Sequence, residues 1–334
     1  MRKDNSHNFL FMEKKLKDHP LITPKILQNY HIQTFSSHFV PYFKTSHTEE
    51  VIKSIKLPDG SQIVADVLFQ PNREQHPTIL VIHGLGGSSK SYFSQSMSHK
   101  AYHYGFNVIL FAQNINKKLP GPYEPDIDSI IEQCNRWGLK RVYLVGVSAG
   151  GYLALRTIIN SKKEIKKNIS GVVAISPVVN INYTSHLEKY FLYKKLILKV
   201  AKSMVKKRIK IDPPNTWDKN QLDKINSVEE WYDTYKHTFG EFSDLEDFRT
   251  RTDLLPFIPN IQTPTLIISS YDDPVIPITP FLNISNPNII TLLPRYGGHG
   301  GFFTTKKLYG DLDGFWAQNR AIEFIRLLEA KKLE

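Results

Sequence analysis

A serine set between two glycines is the first candidate for chemistry in this chain. Ser148 lies in the pattern Gly-Val-Ser-Ala-Gly of residues 146–150, after the strand formers of 141–145 and before the apolar, helix-compatible residues 152–155. A strand, a tight turn and a helix in this order hold a serine hydroxyl at an exposed, strained turn, where it can act as a nucleophile. The alternative is an ordinary strand-to-helix junction whose serine caps the helix.

A serine hydroxyl is a weak nucleophile near neutral pH, so it needs a base to take its proton and an acid to orient that base. Asp272 and Asp273 follow the apolar run 265–270 after Tyr271, and His299 lies among glycines after the next apolar run. Parallel strands end at one edge of a sheet, so these side chains are predicted to meet Ser148 there. The alternatives are a turn-forming Asp-Pro pair and a solvated loop histidine.

Attack on a carbonyl carbon puts negative charge on its oxygen, and preorganised N–H groups must receive that charge. Ala149, directly after the serine, offers one such amide. The Leu85 amide is the best second candidate, because it lies in the His-Gly-Leu-Gly-Gly run 83–87 after the apolar run 78–82. A phosphate-binding loop is disfavoured, because the sequence has neither the G-x-G-x-x-G nor the G-K-[ST] pattern.

Short apolar runs alternate with helix-compatible stretches along most of the chain. The apolar runs are 78–82, 107–112, 142–147, 171–176, 265–270 and 289–293, and the helix-compatible stretches are 92–104, 126–137, 149–159 and 314–328. Two earlier runs, 51–57 and 62–69, read as a β-hairpin. This alternation predicts an α/β fold with a mostly parallel central sheet of about eight strands flanked by helices.

One long segment interrupts that alternation. Residues 177–262 hold aromatics, helix formers and many charges but no clear core strand, and they are predicted to form a helical cap or lid over the sheet edge. The predicted organisation is an N-terminal extension (1–47), a core (48–176 and 263–334) and this cap. Whether 1–47 packs on the core or reaches a partner stays open.

Composition excludes several classes of protein. The 334 residues include 43 basic and 32 acidic side chains, a net charge of +11 that favours anionic partners. The single cysteine, Cys134, excludes an internal disulfide and a cysteine-based zinc or iron–sulfur site. The sequence lacks an apolar run long enough to span a membrane, and residues 1–15 do not read as a signal peptide. We expect a soluble, cytoplasmic protein with no metal or organic cofactor.

These motifs resemble the α/β-hydrolase superfamily over roughly residues 50–330. More narrowly, the chain is similar to the YheT-like group of bacterial hydrolases, which is related to lipid-acting α/β-hydrolase-domain proteins of eukaryotes. The residues that carry this resemblance are His31-Ile32-Gln33-Thr34, the run 83–89, Asp272-Asp273-Pro274, Asn286-Pro287-Asn288 and the run 297–302.

The resemblance implies an α/β-hydrolase fold with an inserted helical cap and a serine hydrolase activity. It puts the nucleophile on Ser148, the base on His299 and the acid on Asp273, the aspartate directly before proline, with Asp272 as the fallback. Carboxylic esters with apolar acyl chains are the first expected substrates. Thioesters and amides stay open, and so does a non-catalytic binding protein on the same fold.

The predicted cap contains a strongly basic stretch. Residues 188–210 carry nine basic side chains and one acidic, with Lys195, Lys199, Lys202 and Lys206 on one helical stripe opposite an apolar stripe. One interpretation is a cap helix with solvated lysines. The other is peripheral contact with an anionic membrane or lipid aggregate. Nucleic acid is not expected, because no reader motif accompanies the charge, and the sequence does not give the oligomeric state.

Overall fold

A single sheet forms the centre of the molecule in the computed structural model. The structure describes residues 2–45, 51–56, 62–111, 124–181, 183–211, 219–238 and 241–331. The strands are β1 (Val51–Lys56), β2 (Gln62–Leu68), β3 (Thr78–Ile82), β4 (Asn107–Leu110), β5 (Val142–Val147), β6 (Ile169–Ile175), β7 (Thr265–Ile268) and β8 (Ile289–Leu292). Their order is β1-β2-β4-β3-β5-β6-β7-β8. The hairpin β1–β2 and the pair β2–β4 are antiparallel, and the remaining pairs are parallel.

Helices lie before, between and after these strands. The helices of the described residues are α1 (Arg2–Lys17), α2 (Tyr30–Phe35), α3 (Tyr92–His103), α4 (Glu124–Arg136), α5 (Ala149–Asn160), α6 (Lys163–Lys166), α7 (Tyr183–Leu187), α8 (Phe191–Ile211), α9 (Lys219–Lys224), α10 (Val228–Tyr235), α11 (Leu245–Thr252) and α12 (Trp316–Lys331). None of these helices is both long enough and apolar enough to cross a bilayer. The predicted α/β fold with a mostly parallel sheet of eight strands is confirmed.

Two apolar layers, one on each face of the sheet, hold the core together. Successive side chains of a strand point to opposite faces. In β3, Leu80 and Ile82 pack with α4 and α5, whereas Ile79 and Val81 pack with α1, α3 and α12. All four side chains are fully buried. A strand covered on both faces needs apolar residues at every position, which explains its uninterrupted apolar sequence.

An insert of helices separates β6 from β7. It contains α7 to α11 and has an apolar cluster of its own, whose members include Ala201, Val205, Leu222, Trp231 and Phe248. The longest helix, α8, packs its buried face toward this cluster and toward loops at the carboxyl edge of the sheet. We refer to this segment (176–264) as the insert.

The N-terminal segment packs on the body of the molecule over its described part, residues 2–45. Met12 and Leu16 of α1 are buried in the same apolar layer as α12. The indole nitrogen of Trp316 donates a hydrogen bond to the backbone carbonyl of His19 at 2.8 Å. Beyond this anchor the chain continues to α2, which lies at the carboxyl edge of the sheet.

Candidate active site

Ser148 occupies a strained turn between β5 and α5. Its backbone angles are φ 56° and ψ −120°, a conformation that non-glycine residues rarely adopt. The flanking glycines are required by close packing. A Cβ on Gly150 would lie 2.2 Å from the carbonyl oxygen of Ile82, and a Cβ on Gly146 would lie 2.2 Å from the carbonyl oxygen of Gly150. Only glycine permits this approach of strand, turn and helix.

The structure brings Ser148, His299 and Asp273 together in one hydrogen-bonded chain. The Ser148 Oγ lies 2.9 Å from Nε2 of His299. On the other side of the ring, Nδ1 lies 3.0 Å from Oδ2 and 3.2 Å from Oδ1 of Asp273. The Asp273 side chain is fully buried, and 17% of the His299 side chain is exposed. Nδ1 therefore donates to the carboxylate, which leaves Nε2 free to accept the serine proton.

The two adjacent aspartates contact different parts of the histidine loop. Asp273 receives backbone N–H groups from Val275 and Ile276 at Oδ1, at 2.8 and 2.9 Å, which fix its carboxylate beneath the ring. Asp272 instead receives the N–H groups of Gly297 and Gly298, at 2.8 and 2.9 Å. Burial raises the pKa of Asp272. Asp273 thus contacts the ring, whereas Asp272 holds the backbone that leads to it.

The predicted amide donors border the serine. A Cβ on Gly84 would lie 3.4 Å from the Cβ of Ser148, so the loop that carries Leu85 passes alongside the nucleophile candidate. His83 Nδ1 donates to the carbonyl of Gly84 at 2.8 Å, and burial lowers the His83 pKa, which favours its neutral form. Ala149 is the first residue of α5, where the N–H groups have no partner within the helix.

Two residues of α2 belong to this site although sequence reasoning gave them no role. Thr34 Oγ1 accepts the backbone N–H of His299 at 2.9 Å. A Cβ on Gly301 would lie 1.9 Å from the carbonyl oxygen of Gln33, and a Cβ on Gly298 would lie 2.6 Å from Thr34 Oγ1. The glycines around His299 are the sequence signal for this contact, because they let α2 approach the loop closely.

The insert closes over the same edge of the sheet. A Cβ on Gly86 would lie 2.4 Å from a methyl group of Val200 in α8. In α7, His186 Nε2 donates to the backbone carbonyl of Asp273 at 3.1 Å. Side chains of the insert therefore contact the loop beside Ser148 and the loop that carries Asp273.

A tyrosine of α8 joins the insert to α2. The Tyr193 phenol lies 3.0 Å from Nδ1 of His31. Burial raises the pKa of Tyr193 to about 12, and a hydrogen bond with Thr34 acts in the opposite direction. The insert and α2 thus meet beside the loop that carries His299.

A metal site and a reactive cysteine are two other kinds of chemistry that side chains of a protein can supply. Among the residues that the structure describes, no group of three or more His, Cys, Asp or Glu side chains is arranged to hold a metal ion. Cys134, on α4, is buried in the apolar layer that α4 and α5 form on one face of the sheet. Burial raises the pKa of its thiol to about 12, so it stays protonated near neutral pH.

Comparison with known proteins agrees with the observed fold. A family model described as "Serine aminopeptidase, S33" matches residues 122–281, a stretch that includes Ser148 and Asp273 and ends before His299. The chain is 24% identical to YheT of Escherichia coli (strain K12) over 91% of this chain and 92% of that protein. The chain has the α/β-hydrolase fold, and its sequence is similar to proteins of the α/β-hydrolase superfamily.

These relatives confirm the resemblance to the YheT-like group that the sequence motifs predict. It is 26% identical to the human protein named "Phospholipase ABHD3" over 78% of this chain and 66% of that protein. Among solved structures, an esterase of Pyrococcus furiosus superposes with a TM-score of 0.55, covering 86% of this chain and 96% of that chain at 15% identity. At this identity the superposition supports the α/β-hydrolase fold alone.

Proposed function

We propose that this α/β-hydrolase cleaves carboxylic esters through an acyl-serine intermediate. The observation that carries the proposal is the unbroken hydrogen-bonded chain from Ser148 Oγ through the His299 ring to the buried Asp273 carboxylate. In this arrangement the base touches the nucleophile, and the acid orients the base. The strained backbone of Ser148 supports the proposal, because such strain is concentrated at functional sites.

The reaction follows from these contacts in two halves. His299 Nε2 takes the Ser148 proton as Oγ attacks the carbonyl carbon, and the N–H groups of Leu85 and Ala149 receive the developing oxyanion. The tetrahedral intermediate then collapses, and the departing alkoxide takes the proton from His299. In the second half, His299 deprotonates a water that attacks the acyl carbon, and Ser148 recovers its proton as the carboxylic acid leaves. Asp273 stabilises the imidazolium in both halves.

An ester with an apolar acyl chain is the proposed substrate. Two observations support this choice: the printed name of the relative ABHD3, a phospholipase, and the aromatic residues that the insert and α2 bring to the site edge. Tyr30 lies edge-on to Tyr190, with ring centroids 5.7 Å apart, and Phe35 stacks on Tyr193 at 6.0 Å. We propose that the insert acts as a cap whose apolar underside receives the acyl chain.

Peripheral contact with an anionic lipid surface is the second part of the proposal, and α8 carries it. Phe191, Leu192 and Leu196 are 65%, 48% and 37% exposed, and they lie on the same stretch of helix as Lys195 and Lys199. Leu196, which belongs to the apolar stripe predicted opposite the lysines, therefore lies partly at the surface. Exposed apolar side chains beside lysines are the combination that an anionic membrane surface attracts.

A groove on α8 adds to this argument. It has a volume of about 610 Å³ and is lined by Lys195, Leu198, Lys199, Lys202, Ser203, Lys206 and Lys207. Its lysines supply positive charge for phosphate groups. The surface also suits the non-catalytic alternative, in which the protein binds anionic surfaces without turnover. An activity measurement separates the two.

A fluorophosphonate probe tests the proposal directly, because it labels only a serine whose hydroxyl is activated by a base. We expect labelling of the wild-type protein, none of Ser148→Ala, and full labelling of Ser203→Ala, which removes an exposed serine from α8. Parallel assays use p-nitrophenyl esters of increasing acyl length, together with one thioester and one anilide. Turnover of the esters in preference to the other two supports the carboxylic ester assignment.

Absence of labelling in folded wild-type protein would contradict the serine hydrolase proposal and favour the binding protein. Preferred turnover of the thioester or the anilide would change the proposed substrate class to thioesters or amides and leave the proposed role of Ser148 unchanged. Labelling that persists in Ser148→Ala would assign the activated serine to another position.

A further inference from the structure

We propose that Thr34 of α2 is a positioning residue for His299, so that the N-terminal segment forms part of the catalytic apparatus. This inference rests on the proposed function, because it concerns the alignment of the proposed base. Thr34 does not touch the reacting atoms. Its hydroxyl accepts the backbone N–H of His299 at 2.9 Å, from a helix 265 residues away in the sequence.

The histidine loop needs external support because of its own sequence. Gly298 and Gly300, on either side of His299, have φ values of +55° and +73°, in a region that glycine populates readily. A glycine on each side gives the backbone more accessible conformations than other residues would. The loop therefore needs contacts from neighbouring elements to keep the imidazole between serine and carboxylate.

Three consecutive amides of this loop are each held by a side-chain oxygen from a different element. The Gly298 N–H donates to Asp272 after β7, at 2.9 Å, and the Gly300 N–H donates to Ser176 after β6, at 3.2 Å. The amide between them belongs to His299 itself, and it donates to Thr34. Thus α2 holds the backbone N–H of His299 itself, and residues at the sheet edge hold the N–H groups of Gly298 and Gly300.

Thr34 stands on a rigid support. The neighbouring Gln33 is fully buried, and its side-chain amide donates to the carbonyls of Leu27 at 3.0 Å and Phe303 at 2.9 Å. Its Oε1 accepts the N–H of Phe303 at 2.7 Å. Asn29 caps the first turn of α2 through the N–H groups of His31 and Ile32. The hydrogen bonds of Gln33 therefore attach α2 to Phe303, just beyond the histidine loop, and this fixes the position of Thr34 relative to His299.

Loss of the Thr34 hydroxyl is expected to affect the chemical step more than substrate binding. Valine is close in shape but leaves the His299 N–H without its acceptor, so the loop is free to drift. A displacement of about 1 Å at the reacting atoms reduces rates by about 100-fold. We therefore expect Thr34→Val to lower kcat by about 10- to 100-fold with KM nearly unchanged, and Thr34→Ser, which keeps the oxygen, to restore most of kcat.

Amide hydrogen exchange measures the same contact without any substrate. Deuterium uptake in a peptide containing His299 is expected to rise in Thr34→Val and to return toward the wild-type level in Thr34→Ser. The matched control is Thr157→Val, which removes a fully buried hydroxyl from α5, where it donates to the carbonyl of Leu153. This control is expected to leave both kcat and the exchange of the histidine loop unchanged.

The outcomes separate this inference from the proposed function. Wild-type protein that neither labels nor turns over esters would overturn the hydrolase proposal, yet the exchange measurement would still test whether Thr34 holds the loop. Unchanged exchange in Thr34→Val overturns the positioning role. Raised exchange with unaltered kcat in an active enzyme also overturns it, as does a KM effect that Thr34→Ser fails to rescue.

Discussion

At the scale of the residue, two neighbouring carboxylates, one fully buried and one partly buried, serve different parts of one loop. Asp273 receives the imidazole N–H, whereas Asp272 receives the backbone N–H groups of Gly297 and Gly298. An asparagine side chain keeps one acceptor oxygen but loses the negative charge. Replacing each aspartate with asparagine therefore distinguishes the carboxylate whose charge orients the imidazole from the one that accepts backbone hydrogen bonds.

Asp273→Asn is expected to lower kcat by about 10³- to 10⁴-fold, because an amide cannot stabilise the imidazolium or fix its tautomer. Asp272→Asn retains an oxygen for the N–H groups of Gly297 and Gly298, so its kcat is expected to stay close to that of the wild type. Steady-state kinetics on one p-nitrophenyl ester measures both variants. If the two effects are exchanged, Asp272 is the acid and the geometry of this loop changes during turnover.

At the scale of the element, α1 shows that the N-terminal segment belongs to the folded body. Leu16 is fully buried in the layer formed with α12, whereas Leu10, on the same helix, is 60% exposed. Leu16→Ala is expected to lower the free energy of unfolding by about 2–5 kcal/mol. Leu10→Ala, the matched control, is expected to change it by less than about 0.5 kcal/mol. Denaturant unfolding of both variants gives the comparison, and equal small effects would mean that α1 is detached in solution.

Sequence patterns predict the strands β3 to β8 well because these strands are buried on both faces. The strands β3 and β5 begin and end at the predicted residues, and β7 and β8 begin where expected but end earlier. Candidate residues placed just after such strands meet at one edge whatever the details of packing. For this reason the proximity of Ser148, His299 and Asp273 could be predicted from the sequence.

The contacts of α2 could not be predicted in the same way. This helix has six residues, too few for a periodic pattern, and its position depends on tertiary contacts of Gln33 and Thr34. The glycines around His299 are compatible with a free loop as well as with close packing, so their sequence alone does not distinguish the two. The alternation of strands and helices likewise predicts where a cap is inserted but not which of its faces is exposed.

At the scale of the whole molecule, positive charge is distributed over both edges of the sheet. Three exposed lysines of α8, Lys195, Lys199 and Lys207, lie on the insert at the carboxyl edge. Three others, Lys162, Lys163 and Lys167, are exposed around α6, which leads into β6 from the opposite edge. If net charge alone attracted an anionic surface, the lysines of α8 and those around α6 would contribute alike. The proposed contact uses only the lysines of α8.

Vesicle sedimentation distinguishes these cases, because replacing either set of three lysines with glutamine removes the same charge. Each lysine near an anionic bilayer contributes about 1 kcal/mol, so the α8 triple variant is expected to bind phosphatidylglycerol-containing vesicles up to about 100-fold more weakly. The α6 triple variant is expected to bind nearly as the wild type does. Raising the salt to about 1 M, where the Debye length is about 3 Å, should weaken wild-type binding. An equal loss of vesicle binding in both triple variants would show that the attraction depends on net charge and not on α8. Wild-type binding that changes with neither salt nor phosphatidylglycerol would exclude an electrostatic contact.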